Sequence, residues 1–383
     1  MTPKTRGRRL RALLVGHSYV SIEIAQKKAK ALARLEGLEI EVVAPRRFFE
    51  LGHWMDVEIP PRDWGYRLHP LPVALPSLRG QRHAYFFARG LHDVVRRFRP
   101  DVIDLWEEAY SAASTQVALT RKLLAPRASL ILSPSIRIVK RQPVPFSLGE
   151  RFVISECDYV VGRTPDVVDV MRAKGFRGPS TVIGHGIDLS LLQPLEMRAC
   201  RQVLDLEPGP LVVFLGRLVT DKGIDTLIEA LPHLPAVRLA IFGEGPEEQA
   251  LRRLAAGSGV GDRVLFRGPV PAESVATVLN AGDVVAMPSR IERWGRVAIE
   301  TLACGRPIVV GGDYLPELVG PYGRSVPPDD PTALAAALAA TLSEPPEERA
   351  RRAEEGRTHA QGFSWDALAL RWREAYAGSL RAT

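Results

Sequence analysis

The stretch from Val284 to Gly312 constrains the fold more tightly than any other part of the chain. It reads as a short apolar strand, Val284–Met287, that breaks at Pro288. A polar loop with Glu292, Trp294 and Gly295 follows, then a helix over roughly Arg296–Cys304, stopped by Gly305 and Pro307. A second apolar strand, Ile308–Val310, runs into Gly311 and Gly312. Two buried strands joined through a helix belong to a parallel sheet covered by helices. The helix is apolar nearly all round, with Val297, Ala298, Ile299, Leu302, Ala303 and Cys304, which predicts that it is buried.

Glu300 lies in the middle of that helix. A buried carboxylate is costly unless something hydrogen-bonds it, and ligand hydroxyls can do so. Glu292 sits eight positions earlier, in the loop that opens the helix. Between the two acids, the free N–H groups and dipole of the helix N-terminus favour an anion. A ligand with hydroxyls at both ends and phosphate in the middle matches this layout. A nucleotide sugar has that shape.

A second group of charges points the same way. Leu211–Leu215 reads as a strand, followed by Gly216-Arg217 and Thr220-Asp221-Lys222-Gly223, then a helix through Leu231. Arg217 and Lys222 flank a strand-to-helix loop. Arg217 can clamp phosphate bidentately and Lys222 adds a point charge. Together they can neutralise a departing diphosphate.

The 383 residues favour two domains. The first half alternates strands and helices: strand Leu10–Val15, helix Ile22–Leu35, strand Glu39–Val43, and an irregular stretch over 48–80 with a strand near Leu71–Leu75. Helix Ala84–Phe98, strand Val102–Trp106, helix Ser111–Leu124 and strand Leu130–Leu132 continue the pattern. The chain is therefore expected to be α/β, with residues 1–190 in one parallel-sheet domain and 191–361 in another. Ligands of such sheets bind beyond the C-terminal strand ends. Gly16-His17 follows the first strand, and Trp106-Glu107-Glu108 follows a later one.

Glu292-x7-Glu300, with Pro288-Ser289 before it and the sequence CGRPIVV after it, resembles the E-x7-E segment of glycosyltransferase family 4, as does GRLVTDKGIDTLIEAL around Arg217 and Lys222. The resemblance is strong across the second half and mainly architectural in the first. It implies a GT-B fold, with two Rossmann-like domains facing each other across a cleft, and a final helix of about 362–383 packing back on the first domain. It also implies a retaining transfer of sugar from a nucleoside-diphosphate donor to a hydroxyl acceptor, in cell-surface polysaccharide or glycolipid assembly. In this reading Glu292 holds the donor sugar, Glu300 the ribose, and backbone N–H groups near Trp294, Gly295 and Arg296 the diphosphate. The loop with Arg267 and Val270 lies against the base, and Gly311-Gly312 with Glu317 resembles the family's closing segment.

Two departures stand in the first half. Where relatives often carry a glycine pair touching the donor phosphate, this chain has Gly16 alone. Where many relatives have His-Glu-Pro, it has Glu107-Glu108-Ala109, so that Glu107 takes the place of the histidine and can accept a hydrogen bond from a sugar hydroxyl. The alternative is that Glu107 and Glu108 face solvent and cap the next helix. His17, Arg137, Lys140 and Arg141 are the acceptor-side candidates; with Arg46-Arg47 the last three can form a basic acceptor or membrane-facing surface.

Charge is uneven. Residues 1–190 hold 30 Lys and Arg against 19 Asp and Glu, while residues 191–383 hold 21 against 25. A basic front half suits a membrane surface, a lipid-linked phosphate or an acidic sugar. No aromatic-interleaved basic motif points to nucleic acid. Cys157, Cys200 and Cys304 form no CxxC pair, which reads as a reduced, cytoplasmic chain, with the inner membrane face open to it. No run reaches the roughly 18 apolar residues of a membrane helix, and the basic N-terminus reads as leading into a first strand. No D-x-D or H-x-x-H motif points to a metal, so no cofactor is expected. A nucleotide-sugar epimerase and a non-catalytic nucleotide-sugar-binding protein are the alternatives. The missing G-x-G-x-x-G disfavours a dinucleotide oxidoreductase.

Overall fold

A computed structural model describes residues 9–50, 53–75, 84–292, 294–312 and 316–380. Contacts divide the chain into two units: one runs to Gly184 and resumes at Trp365, and the other is His185–Ser364.

The first unit is built on a seven-stranded parallel sheet. Its strands are β1 (Leu10–Val15), β2 (Leu38–Pro45), β3 (Arg67–Leu71), β4 (Val102–Leu105), β5 (Ser129–Leu132), β6 (Tyr159–Gly162) and β7 (Ser180–Val182), in the order β7-β6-β5-β4-β1-β2-β3. Strands β4 and β5 are buried throughout, as expected of a sheet covered on both faces. The helix Trp365–Ser379 belongs to this unit and is fixed by polar contacts. The Tyr376 hydroxyl donates to Asp104 at 2.6 Å, and the Ser129 hydroxyl donates to the Ser379 carbonyl at 2.6 Å. Lys28 Nζ lies 2.5 Å from Asp104 and 3.1 Å from the Trp372 ring centroid. Lys28 and Asp104 are fully buried, a situation that is stable only because each charge finds partners.

The second unit carries a six-stranded parallel sheet: β8 (Leu211–Leu215), β9 (Arg238–Phe242), β10 (Val264–Gly268), β11 (Val284–Met287), β12 (Ile308–Gly311) and β13 (Arg324–Val326), in the order β10-β9-β8-β11-β12-β13. The helix Arg296–Ala303 crosses from β11 to β12, and Ala298–Ala303 are all buried, as its apolar circumference predicts.

The two Rossmann-like sheets are as expected, but two local expectations are corrected. Residues 84–98 do not form one helix: Phe86–Phe87 pairs antiparallel with Val73–Ala74, and the helix is Leu91–Phe98. The aromatic run fills the core as extended chain, with Tyr85 and Phe87 buried on one side. Ile22–Leu35 starts as a π-turn over Ile22–Gln26 and becomes α-helical only at Lys27–Ala33. The strand expected near Leu71–Leu75 is present as the two-residue strand Val73–Ala74, and a longer strand, Arg67–Leu71, precedes it and pairs parallel with β2.

Candidate active site

In the second unit β8 and β11 are parallel neighbours, with Val212 opposite Val284 and Val213 opposite Val285. Their C-terminal loops therefore emerge side by side. The loop after β8 contains the turn Thr220–Lys222, and the loop after β11 starts at Pro288. Backbone hydrogen bonds stitch them together: the N–H groups of Arg290 and Ile291 both donate to the Asp221 carbonyl, at 2.8 and 3.2 Å. Gly223 allows this closeness. It has φ 63°, and a Cβ there would lie 2.1 Å from the Pro288 carbonyl oxygen.

The stitching brings Lys222 to Glu292. Lys222 Nζ is 2.5 Å from Glu292 Oε2, and the Ser289 hydroxyl is 3.3 Å from the same oxygen. Side-chain exposure is 18% for Lys222 and 9% for Glu292, so the pair is largely desolvated yet reachable. Desolvation strengthens the pair's attraction and its grip on an incoming charge. Arg217, just after β8, is exposed, and its guanidinium has no hydrogen-bond or ion-pair partner among the described residues.

The helix behind this pair starts after Gly295. Glu300 is 7% exposed, and Arg296 Nε approaches its Oε1 to 3.2 Å from one turn before. The carboxylate is thus buried, as the sequence predicts, with a half-exposed guanidinium at its mouth. Trp294 donates its indole N–H to the His185 carbonyl at 3.2 Å and packs on the core shared with Val270 and Val297. Its side chain is therefore engaged in holding the loop. Arg267 is exposed, and its guanidinium is bound at 2.5 Å to the Asp205 carbonyl. The Glu317 side chain lies outside the described residues.

In the first unit the candidates form two groups. Gly16 lies where a Cβ would come within 2.6 Å of the Trp106 carbonyl oxygen, which carries the loop after β1 onto the loop after β4. His17 then meets Glu107. The His17 N–H donates to Glu107 Oε1 at 2.7 Å, and His17 Nδ1 is 2.6 Å from the same oxygen. The Tyr85 hydroxyl also donates to it, and His17 stacks on Phe48 with ring centroids 4.8 Å apart. Glu107 is 4% exposed, so the solvent-facing alternative is excluded, and Ser111 caps the following helix instead. Burial alone would push up the Glu107 carboxyl, but the charge interaction with His17 and hydrogen bonds from His17 and Tyr85 outweigh it and hold the carboxyl below its usual value. Adjacent Glu108 behaves oppositely: burial pushes its carboxyl up, and the N–H of Ser135 at 2.9 Å only partly offsets that. In the second group Arg137 pairs with Asp166, while Lys140 and Arg141 are exposed.

Sequence reasoning missed Arg290 and Tyr85. Arg290 binds Asp225 through both terminal nitrogens, at 2.9 and 2.7 Å, and places Nε 2.5 Å from Asp329 and NH1 2.7 Å from the Thr220 carbonyl. Its partners are too distant in sequence to have been paired with it. Elsewhere in this unit a cavity of about 170 Å³ is lined by Val219, Thr220, Ile224, Asp225, Glu247 and Leu251, among others. Its charged lining groups are both acidic, which does not suit a diphosphate. Among the described residues no cluster of three or more His, Cys, Asp or Glu side chains is arranged to hold a metal, and no helix is long and apolar enough to cross a membrane.

Two neighbouring βα loops that present cations and a buried acid at a helix mouth therefore stand at the C-terminal edge of a Rossmann-like sheet. Residues 198–359 match the family model described as "Glycosyl transferases group 1". The D-inositol 3-phosphate glycosyltransferase of Mycobacteroides abscessus is 36% identical over 242 residues, 60% of this chain and 53% of that protein. This chain thus matches only about half the length of the curated relatives of this kind. Among solved structures, sucrose-phosphate synthase from Thermosynechococcus elongatus superposes with a TM-score of 0.73 at 22% identity, covering 96% of this chain and 98% of its own. Anabaena HepE in complex with UDP and glucose gives 0.69 at 19% identity, covering 96% and 100%. At these identities the likeness shows the fold. Residues 198–359 of this chain are thus similar to the group 1 glycosyl transferases.

Proposed function

We propose that this chain is a retaining glycosyltransferase that moves a hexosyl group from a nucleoside-diphosphate sugar to a hydroxyl acceptor. The observation that carries the reading is the Lys222–Glu292 pair at the mouth of the helix holding Glu300. In this reading the diphosphate takes Lys222 and Arg217, with the N–H groups at the start of helix Arg296–Ala303 as further donors. Glu292, released from Lys222, accepts hydrogen bonds from the sugar, and Glu300 from the ribose. Charge developing on the leaving phosphate is met by groups already fixed in place, which is where such sites gain most of their rate. No side chain is assigned as covalent nucleophile. The acceptor attacks the face the diphosphate leaves, through an oxocarbenium-like state, and the departing phosphate takes the acceptor proton.

Similarity to proteins named as glycosyltransferases, and a fold shared with a UDP-bound structure, support the donor class. The first unit carries the acceptor, a sugar or lipid-linked hydroxyl, in cell-surface polysaccharide or glycolipid assembly on the cytoplasmic side. No metal or other cofactor is required, and nucleic acid is not a partner.

A thermal-shift screen over UDP, GDP and ADP and their sugars tests the reading, since a ligand bound only by the folded state raises the melting point. One nucleotide series should raise it. Transfer from that donor should then give a product of unchanged anomeric configuration. An inverted product would overturn retention, and conversion of the donor sugar without acceptor would favour an epimerase.

A further inference from the structure

The first unit exposes large aliphatic side chains in one region. Ile138, Val139, Val144 and Leu148 are 68%, 63%, 73% and 58% exposed. They occupy the loop after β5 and the start of helix Phe146–Glu156. That helix packs against helix Ala112–Leu124: a Cβ on Gly149 would lie 2.5 Å from Thr115 Oγ1, and Lys122 Nζ is 2.5 Å from Glu156. The two helices therefore run side by side in the same direction, and the second exposes Leu119 and Leu123. Lys174 ties loop to helix, donating to the Lys140 carbonyl at 3.1 Å and pairing with Glu150 at 2.5 Å.

The charges of this region are one-sided. Glu150 is neutralised by Lys174, Glu156 by Arg121 and Lys122, and Asp166 by Arg137. Lys140, Arg141 and Arg151 are exposed, with no carboxylate partner among the described residues. Exposed aliphatic groups bordered by uncompensated cations are the makeup of a surface that lies in a bilayer interface. The exposed apolar groups are aliphatic, whereas protein-binding surfaces favour Trp, Tyr and Phe at their centre.

We propose that the segment 138–148 docks the first unit on a bilayer carrying anionic headgroups, with Ile138, Val139, Val144 and Leu148 entering the headgroup–acyl boundary and Lys140, Arg141 and Arg151 binding headgroup phosphates. The inference deepens the functional reading by favouring a lipid-linked acceptor, but docking itself requires no turnover.

Flotation of the full chain with phosphatidylcholine vesicles, with and without phosphatidylglycerol, tests it in the absence of any sugar donor. The protein should float with the anionic vesicles and leave them at high salt. Lys140→Glu with Arg141→Glu should lower the bound fraction about tenfold or more. Ile138→Ser with Val139→Ser, Val144→Ser and Leu148→Ser should lower it without altering charge. Both variants should keep the wild-type melting point and the same nucleotide-induced shift, so loss of docking and failure of the donor reading are separate outcomes. Equal flotation of wild type and variants would overturn the proposal. So would a wild-type dimer that the serine variant breaks and that binds no vesicle.

Discussion

Lys222 Nζ lies 2.5 Å from the carboxylate of Glu292, although 70 residues separate them. The ion pair is held by backbone hydrogen bonds between the two loops, so neither side chain needs the other to stay in place. A diphosphate can take the cation and leave the acid to the sugar. Lys222→Ala should therefore weaken nucleoside diphosphate binding by roughly 10- to 100-fold, the value of a charge-assisted hydrogen bond. Glu292→Ala should leave diphosphate affinity nearly unchanged and lower turnover by about 100-fold or more. Calorimetric titration beside initial rates separates the two. Variants that melt normally and transfer at the wild-type rate would remove both residues from the site.

In the proposed function Arg290 has a positioning role rather than contact with the reacting groups. Its guanidinium joins Asp225, Asp329 and the Thr220 carbonyl, two residues before Glu292 in the chain. Arg290→Lys keeps the charge and loses the planar fork. Turnover should fall about tenfold, while stability falls by only about 1 kcal/mol because the acid partners are partly solvated. Urea unfolding and steady-state rates measured on one preparation decide this.

The helix Arg296–Ala303 was legible because its signals are local: a glycine before it, an apolar circumference, and Gly305 and Pro307 after it. The strands β8 and β11 were legible for the same reason. Their adjacency was not, since parallel neighbours whose paired residues lie 72 positions apart leave no periodic trace, and it is this adjacency that joins Lys222 to Glu292. His17 and Glu107 were each singled out by their place after a strand, but their pairing depends on β1 lying beside β4. Tyr85 carried no signal at all. It fell within an apparent helix whose aromatic residues serve a strand pairing and the core instead.

Gly223 offers a test of the backbone. At φ 63° any other residue is strained, and a Cβ would also meet the Pro288 carbonyl. Gly223→Ala should cost roughly 1–3 kcal/mol from strain alone. The turn must also retreat from the Pro288 loop, so the Lys222–Glu292 pair should open and donor affinity should fall with stability. An alanine variant with wild-type affinity would mean that the closeness of the loops is not needed for binding.

The buried Lys28–Asp104 pair makes the first unit sensitive to single truncations. Burial pushes the Lys28 ammonium down to about 8, against which the charge and hydrogen bond of Asp104 pull upward. Lys28→Met leaves Asp104 buried with a lost counter-charge and should destabilise the unit by about 3–5 kcal/mol. Tyr376→Phe removes one hydrogen bond to the same carboxylate and should cost about 1.5–3 kcal/mol. Denaturant unfolding of both variants checks the order. A Tyr376→Phe loss exceeding that of Lys28→Met would reverse the assignment of what holds Asp104.

Glu107 and Glu108 are adjacent in sequence and displaced in opposite directions, which gives a pH test of their surroundings. Glu107, facing His17 and Tyr85, is held below its usual value of 4.5 in the folded chain. Its contribution to stability is therefore present above that value and lost as pH falls through the lower folded one. Glu108, facing Ser135, Glu107, Arg163 and His17, is raised. Ionising it in the folded state costs stability at neutral pH, and the cost disappears as pH falls through its folded value toward 4.5. Glu107→Gln should therefore lose more stability at about pH 7 than at about pH 4. Glu108→Gln should show the opposite trend, its stability relative to wild type being greater at about pH 7 than at about pH 4. Each comparison uses the change between two pH values, which cancels any constant cost of placing a glutamine amide in the site. Parallel trends in the two variants would mean that burial alone, not the His17–Tyr85 cradle, governs both carboxyls.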